Sequence, residues 1–502
     1  MSAVRVARGT QLVRGVPVVV AGLVLVAALA GCSPMQASTA PGTHAAAART
    51  TASGGTWGTA KEVPGIAALA TDVSSYPLSV SCGAAGNCSA GGYYTTYVKK
   101  PNPQEAFVVS EKGGTWGAAK EVPGTAALNQ GRNAQLASVS CASAGNCSAG
   151  GYYTDGSSHQ QAFVVGEANG TWGTAKEVPG FAALNKGVFT GLSAVSCASA
   201  GNCSAGGFYT DGSGHHQAFV VSEKGGTWGT AKEVPGTAAL NQGGNAQLAS
   251  VSCPSAGNCS AGGYYTDGSG HDQAFVVGEK GGTWGTAKEV PGIAALNQGG
   301  NAQIASVSCP SAGNCSAGGS YYTDSSGHHQ AFVVSETNGT WGTAKAVPGT
   351  AALNQGGYAA VVQVSCASAG NCGAGGSYVD GSGRDQPFVV SETNGTWGTA
   401  KEVPGTAALN QGGQAHLASV SCASAGNCSV GGSYFSEVFV VSEKSGTWGT
   451  AKEVPGFAAL NQGGNAQLAS VSCASAGHCS AVGFYTTRPR NGFNEAFVVN
   501  ET

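Results

Sequence analysis

From residue 55 to its end this chain is eight near-copies of one segment, and no other feature constrains the fold as strongly. Trp57, Trp116, Trp172, Trp228, Trp284, Trp341, Trp397 and Trp448 stand 59, 56, 56, 56, 57, 56 and 51 residues apart, each opening a stretch of the form TWGTAKEVPG. A fixed period of this size marks a solenoid, a propeller or an array, because a unit this small cannot bury its apolar face alone. Each unit holds four runs with strand character, TWGTAKEV, LASVSC, CSAGGYY and QAFVVSE, separated by Gly, Asn, Ser or Pro. No helical period of useful length accompanies them. Four strands in about 56 residues match a propeller blade, so the expected fold is an all-β, eight-bladed β-propeller over residues 55–502.

The chain ends predict how the ring closes. The folded region begins with the TWGTAKEV run at Trp57 and finishes with the strand that includes Phe497 to Val499. If TWGTAKEV is the outermost strand, the last blade has three strands from the C-terminus and takes its fourth from the N-terminal segment. That arrangement removes the free sheet edge an open array would expose.

The cysteines follow the same period. Of 17, one is Cys32 and the others form eight pairs with five residues between partners: Cys82 with Cys88, Cys141 with Cys147, Cys197 with Cys203, Cys253 with Cys259, Cys309 with Cys315, Cys366 with Cys372, Cys422 with Cys428 and Cys473 with Cys479. Close pairs between two strand-like runs read as one local disulfide per blade, whereas a zinc site needs two further ligands near each pair and has none. Chain entropy assigns each short loop about 2 kcal/mol. No metal or other cofactor is expected.

Ahead of the repeats, Arg5, Arg8 and Arg14 precede an apolar run from Val16 to Ala30, the charge-then-hydrophobic layout of a signal peptide. Leu29-Ala30-Gly31-Cys32 resembles the lipobox of bacterial lipoproteins. That resemblance implies cleavage after residue 31, acylation of Cys32 and a chain held on the outer face of the cell membrane. Residues 33–54, rich in Ala, Thr, Ser, Pro and Gly, then form a flexible tether. Net charge is only −3 with 10% charged residues, which argues against nucleic acid as a partner. A monomer is expected.

The repeat itself looks like those of actinobacterial sialidase-like (BNR-type) propeller proteins, through the VSC-xSAGNC-xAGG hairpin and the turn before GTW. The likeness covers nearly all of residues 55–502 and implies the propeller fold. The family's S-x-D-x-G-x-T-W box is replaced here by SEKGGTW ending at Trp228 and SETNGTW ending at Trp397, one residue shorter and without aspartate.

In an antiparallel meander successive connections fall on opposite faces of the ring. The disulfide hairpin and the SEKGGTW turn share one face; VPGTAALNQGGNAQ and YYTDGSGHHQ share the other, here the loop face. Candidate ligand residues there are Asn129, Asn241 and Asn297 at one recurring position and Asp155, Asp211, Asp267, Asp324 and Asp380 at another, with Tyr153, Tyr209 and Tyr265 nearby. Amides, carboxylates and aromatic faces are what a sugar site uses. The same residues are equally ordinary turn chemistry and inter-blade filling. His215, His216, His271, His328 and His329 follow the aspartates, too few per loop to hold a metal.

A catalytic site requires one asymmetric constellation. The arginines of the repeats are Arg132, Arg384, Arg488 and Arg490, which do not assemble an arginine triad, and Asp72, Glu105, Asp272, Asp385, Glu437 and Glu495 are scattered along the chain. Ring closure is expected to bring Lys99 and Lys100 near Arg488 and Arg490 as a cationic patch. The favoured function is a non-enzymatic surface module that binds a glycan or an envelope protein. A sialidase-like glycan hydrolase and a structural envelope scaffold are the alternatives.

Overall fold

The computed structural model describes residues 55–69, 73–97, 102–487 and 492–502. They form eight antiparallel sheets arranged as the eight blades of a propeller, each with the same strand order. In the second blade, Ala134–Ser143 is innermost, Asn146–Thr154 second and Gln160–Ala168 third. The expected outer strand is split in two: Thr171–Trp172 and Lys176–Glu177 both pair with the third strand, at Ala168/Glu167 and at Val164/Phe163. Between them the Ala175 N–H leaves the blade and donates to Pro123 O of the preceding one at 2.7 Å. The outer edge is thus tied to its neighbour. A second feature absent from the sequence reading is a single helical turn, Thr125–Leu128, in the long connection, launched by Gly124 at φ 88°.

Each blade is sandwiched between two others, so its third strand is apolar on both sides. Ala162, Phe163, Val164 and Val165 are all buried, a continuous run of the kind seen wherever a strand has no solvent face. The core lies between blades: Ala106, Val108 and Val122 of the first blade pack with Leu136, Val139, Phe163 and Val165 of the second. A phenylalanine buried as fully as Phe163 contributes about 1.5–3 kcal/mol. The Gly-Gly of CSAGGYY makes this stacking fit. A Cβ on Gly150 meets the Leu192 methyls of the next blade at 2.8–2.9 Å, and one on Gly151 meets Gln135 O at 1.9 Å, beside the bulge between Leu136 and Ser138.

Closure follows the expected route. Lys61–Glu62 pairs with Val498 and Phe497, completing the sheet that the C-terminal strands begin, and Trp57 bridges Glu501. Gly55 lies against Gly477 in the disulfide turn of the eighth blade, so residue 55 is on the disulfide face.

The cysteines pair as expected, one disulfide to a blade. Cys82 is bonded to Cys88, Cys141 to Cys147, Cys197 to Cys203 and Cys253 to Cys259. Cys309 is bonded to Cys315, Cys366 to Cys372, Cys422 to Cys428 and Cys473 to Cys479. In each pair the first cysteine closes the innermost strand and the second opens its antiparallel neighbour, so the two meet across the hairpin, as Cys141 and Cys147 do in register. All sixteen are buried. Their role is to staple the hairpin at the end of the blade remote from the loop face, and none of them offers a free thiol to a ligand or metal.

Two rings of polar contacts hold the blades in register. At the centre, serines of the LASVSC run accept from the innermost strand of the next blade: Val139 N–H to Ser79 Oγ at 3.0 Å, Cys141 N–H to Ser81 Oγ at 2.9 Å, and across the closure Cys82 N–H to Ser472 Oγ at 3.0 Å. These hydroxyls satisfy N–H groups on a sheet edge that has no strand partner. Further out lies a buried latch. Ser89 and Ser110 of the first blade each donate to Glu167 of the second at 2.7 Å, and Trp172 Nε1 donates to Ser110 Oγ at 3.0 Å. Glu279, Glu392 and Glu501 repeat it, with Trp284, Trp397 and Trp57 as the indoles.

Candidate binding face

The two faces separate as expected. Gly114 N–H donates to Gly86 O at 2.8 Å, joining the strand-end turn to the disulfide turn, while Gly131 N–H donates to Thr154 O at 2.8 Å on the opposite side. The repeated polar residues of the loop face, however, are engaged within the fold. Asn129 is 5% exposed. Its Nδ2 donates to Gln104 O and Glu105 Oε2 at 3.0 and 2.8 Å, and its Oδ1 accepts from Asn133 N–H at 2.7 Å. Asn241 and Asn297 do the same with Gln217 and Gln273. Each staples its connection to the third strand of the preceding blade, which leaves it buried rather than presented to a ligand.

The aspartates organise their own turns. Asp155 Oδ1 accepts from Ser157 and His159 N–H at 2.8 and 2.9 Å, and Asp211, Asp267 and Asp380 follow the pattern. Burial raises the Asp155 pKa, and the His159 and Ser157 N–H donors, together with the Gln161 amide and the His159 ring, more than reverse it, so the carboxyl ends below its ordinary value. Asp324 differs, since its Oδ2 pairs with His328 Nδ1 at 2.7 Å, and that bond leads the fall in its pKa. Tyr153, Tyr209 and Tyr265 fill the space between blades and donate to Glu177, Glu233 and Glu289 at 2.8, 3.1 and 2.9 Å. Buried in this way, their rings are not stacking platforms.

What the loop face does present are departures from the repeat. Among the described residues the exposed large apolar side chains are Tyr97, Val188, Phe189, Tyr358 and Phe435, the two phenylalanines being 60% and 71% exposed. All five belong to loop-face connections. Phe189 and Tyr358 occupy the place that Asn245 holds in the fourth blade, and Phe435 tips a shortened turn. Around the closure Tyr97 stacks on Phe493 at 5.5 Å, while Tyr76 contacts Tyr93 at 4.9 Å and Phe484 at 5.1 Å. Across the fifth to seventh blades, His329 lies 4.0 Å from Tyr322 and 4.9 Å from Tyr358, and His416 Nε2 is 3.7 Å from Asp385 Oδ2.

The carboxylates that look scattered along the chain are partly ordered in space. Glu105, Glu437 and Glu495 occupy one equivalent position in the first, seventh and eighth blades, where other blades carry glutamine. Each also stands two residues before the phenylalanine of its third strand, Phe107, Phe439 and Phe497, so the aligned repeat shows the same position. Asn129 and Asn461 donate to Glu105 and Glu437 at 2.8 and 3.4 Å, and Tyr485 to Glu495 at 3.1 Å. Burial raises the Glu105 and Glu437 pKa values. Arg132 and Arg384 lie in the second and sixth blades. Among the described residues no group of three His, Cys, Asp or Glu is placed to hold a metal. Cys32, Asp72, Lys99, Lys100, Arg488 and Arg490 lie outside the described residues.

No protein-family model matches the chain, and no curated protein matches it. Solved structures with a similar course include the Hadza microbial sialidase Hz136 (12% identity, TM-score 0.35, 68% of each chain covered). A neuraminidase-like protein of subtype N11 from A/flat-faced bat/Peru/033/2010 is another (11%, 0.37, 90% of this chain and 95% of that one). A third is the six-bladed fungal lectin of Aleuria aurantia (13%, 0.33, 63% and 94%). The chain is an eight-bladed, disulfide-stapled β-propeller.

Proposed function

We propose that this protein is an exported, lipid-anchored binding module whose loop face engages a carbohydrate or a protein. The observation that carries this reading is the confinement of every exposed large apolar side chain among the described residues to one face. Aromatic rings left in water on an otherwise polar ring are costly to solubility and are what a binding surface uses. They sit where the repeat is broken, so the binding surface is built from the exceptions and the repeats hold it in place. Residue 55 on the opposite face suits a tether from Cys32 that leaves the loop face turned outward.

The test is retention of the purified chain on bacterial cell envelopes and on a glycan array, beside Phe189→Ser and Phe435→Ser. Retention by wild type that falls by about tenfold or more in the double variant, as loss of two anchoring rings implies, with an unchanged melting temperature, supports the reading. Equal retention of both sinks it. In cells, Cys32→Ser is expected to move the protein from the membrane to the medium, and a variant that stays membrane-bound removes the lipid anchor.

A further inference from the structure

We propose that the junction of the fifth and sixth blades on the loop face is a binding site for a neutral pyranose, an assignment that rests on the loop-face reading. In neighbouring junctions the connection asparagine is fully used. Asn297 donates to Gln273 Oε1 at 3.1 Å and accepts from Asn301 N–H at 2.8 Å; Asn410 donates to Gln386 Oε1 at 3.0 Å and accepts from Gln414 N–H at 2.8 Å. At the junction between these two the network is open. Asn354, 7% exposed, keeps only its bond to His329 O at 2.8 Å, and three buried atoms have no partner: Asn354 Oδ1, Gln330 Oε1 and His329 Nδ1. Three of the eight such atoms among the described residues therefore belong to residues around this one connection, His329 on the strand face that carries Tyr322 and Gln330 on the face that carries Tyr321.

The cause is local sequence. The unit from Trp284 to Trp341 is 57 residues, one longer than its neighbours, and the extra residue falls before Asp324. Asp324 then bonds His328 Nδ1 at 2.7 Å, whereas Asp267 takes Gln273 Nε2 at 3.4 Å. In the next connection Tyr358 stands in place of Asn301. Buried polar groups in native folds are almost always paired, so an unpaired cluster calls for a partner.

Its chemistry selects the partner. Two of the three atoms are amide oxygens, which only accept, and the third is an imidazole nitrogen that accepts or donates. A hydroxyl-rich ligand supplies the donors; a carboxylate or sulfate does not. Beside His329 the Tyr358 ring, 40% exposed and 4.9 Å away, offers a face for the apolar side of a sugar ring. Asp385 and His416, 3.7 Å apart, extend the rim onto the seventh blade with further hydrogen-bonding groups.

Methyl α-mannopyranoside, methyl β-galactopyranoside and methyl β-glucuronide, titrated at millimolar concentration into the full chain and followed by saturation-transfer NMR, test the site. At least one neutral glycoside is expected to bind wild type and Tyr358→Phe alike, to bind Tyr358→Ala about tenfold more weakly, as loss of a stacking ring implies, and to outcompete the glucuronide. Binding that is unchanged in Tyr358→Ala, or no saturable signal from either neutral glycoside, overturns the proposal and leaves the orphan atoms to ordered water. Glycoside binding lost in the Phe189→Ser/Phe435→Ser double variant but kept in Tyr358→Ala removes this junction while the loop-face reading stands. Loss of envelope retention without any glycoside effect in any variant overturns the sugar site and points to a protein partner for that face.

Discussion

The disulfide side and the loop side of this ring are built from the same eight repeats and depart from the repeat in opposite ways. Toward the disulfide side, the latch of Glu, two Ser and Trp recurs from junction to junction, and Glu167, Glu279, Glu392 and Glu501 each meet two hydroxyls. The exceptions there are small: Gly166, Gly278 and Gly373 each remove one serine, and Asn500 stands in for another. On the loop side the exceptions are large and aromatic and reach water, while at the latch the small ones leave Glu111 Oε2 and Glu443 Oε2 as buried acceptors without a partner. A side whose exceptions stay small and buried is holding the blades together. A side whose exceptions put aromatic rings into water is where specificity can arise.

The largest expected effect tests the latch. Glu392→Ala strips the hydrogen-bond acceptor from Ser316 and Ser335 and is expected to cost about 1.5–3 kcal/mol, the range for hydrogen bonds to a charged group, read by chemical denaturation with glycan and envelope binding unchanged. If binding falls while stability holds, the division of labour between the two sides is wrong.

The second expectation separates the repeated loop residues from the exceptions. Asn297→Ala is expected to lose about 2 kcal/mol and Asp267→Ala about 1 kcal/mol, through lost staple and turn hydrogen bonds, with retention on envelopes intact. Reduced retention at wild-type stability in either variant restores the repeated loops as ligand contacts.

The smallest effect repairs a latch. Gly278 borders a groove of about 310 Å³ that also reaches Glu336, and a Cβ there meets only Cys259 O at 3.8 Å. Gly278→Ser is expected to give Glu336 its second donor and stabilise the fold by about 1 kcal/mol at neutral pH. Burial raises the Glu336 pKa above 4.5, partly offset by Ser260. A carboxyl raised in the folded state binds its proton more tightly there than in the unfolded chain, so it weakens the fold as pH rises from 4.5 through the folded value. The benefit of the added serine, which favours the ionised form, therefore shrinks as pH is lowered through that window. A gain independent of pH means the hydroxyl is not reaching Glu336.

Much of this architecture was legible in the chain. The Trp period gives the blade count, the out-of-phase ends give the closure through Lys61–Glu62, the cysteine spacing gives the staples and strand alternation gives the two faces. The split of TWGTAKEV was not legible, because Ala175 N–H is drawn to Pro123 of another blade. The shared position of Glu105, Glu437 and Glu495 was legible, two residues before the phenylalanine of each third strand. Among the candidate site residues, the sequence by itself determined which types recur; only the tertiary structure decided that Asn129 and Tyr153 face inward while Tyr358 and Phe435 face water. The physical reason is that burial in a propeller is set between blades, by partners as far apart as Ser89 and Glu167, 78 residues away, whereas a repeat read along the chain shows only what each blade carries and not what the next blade presses against it.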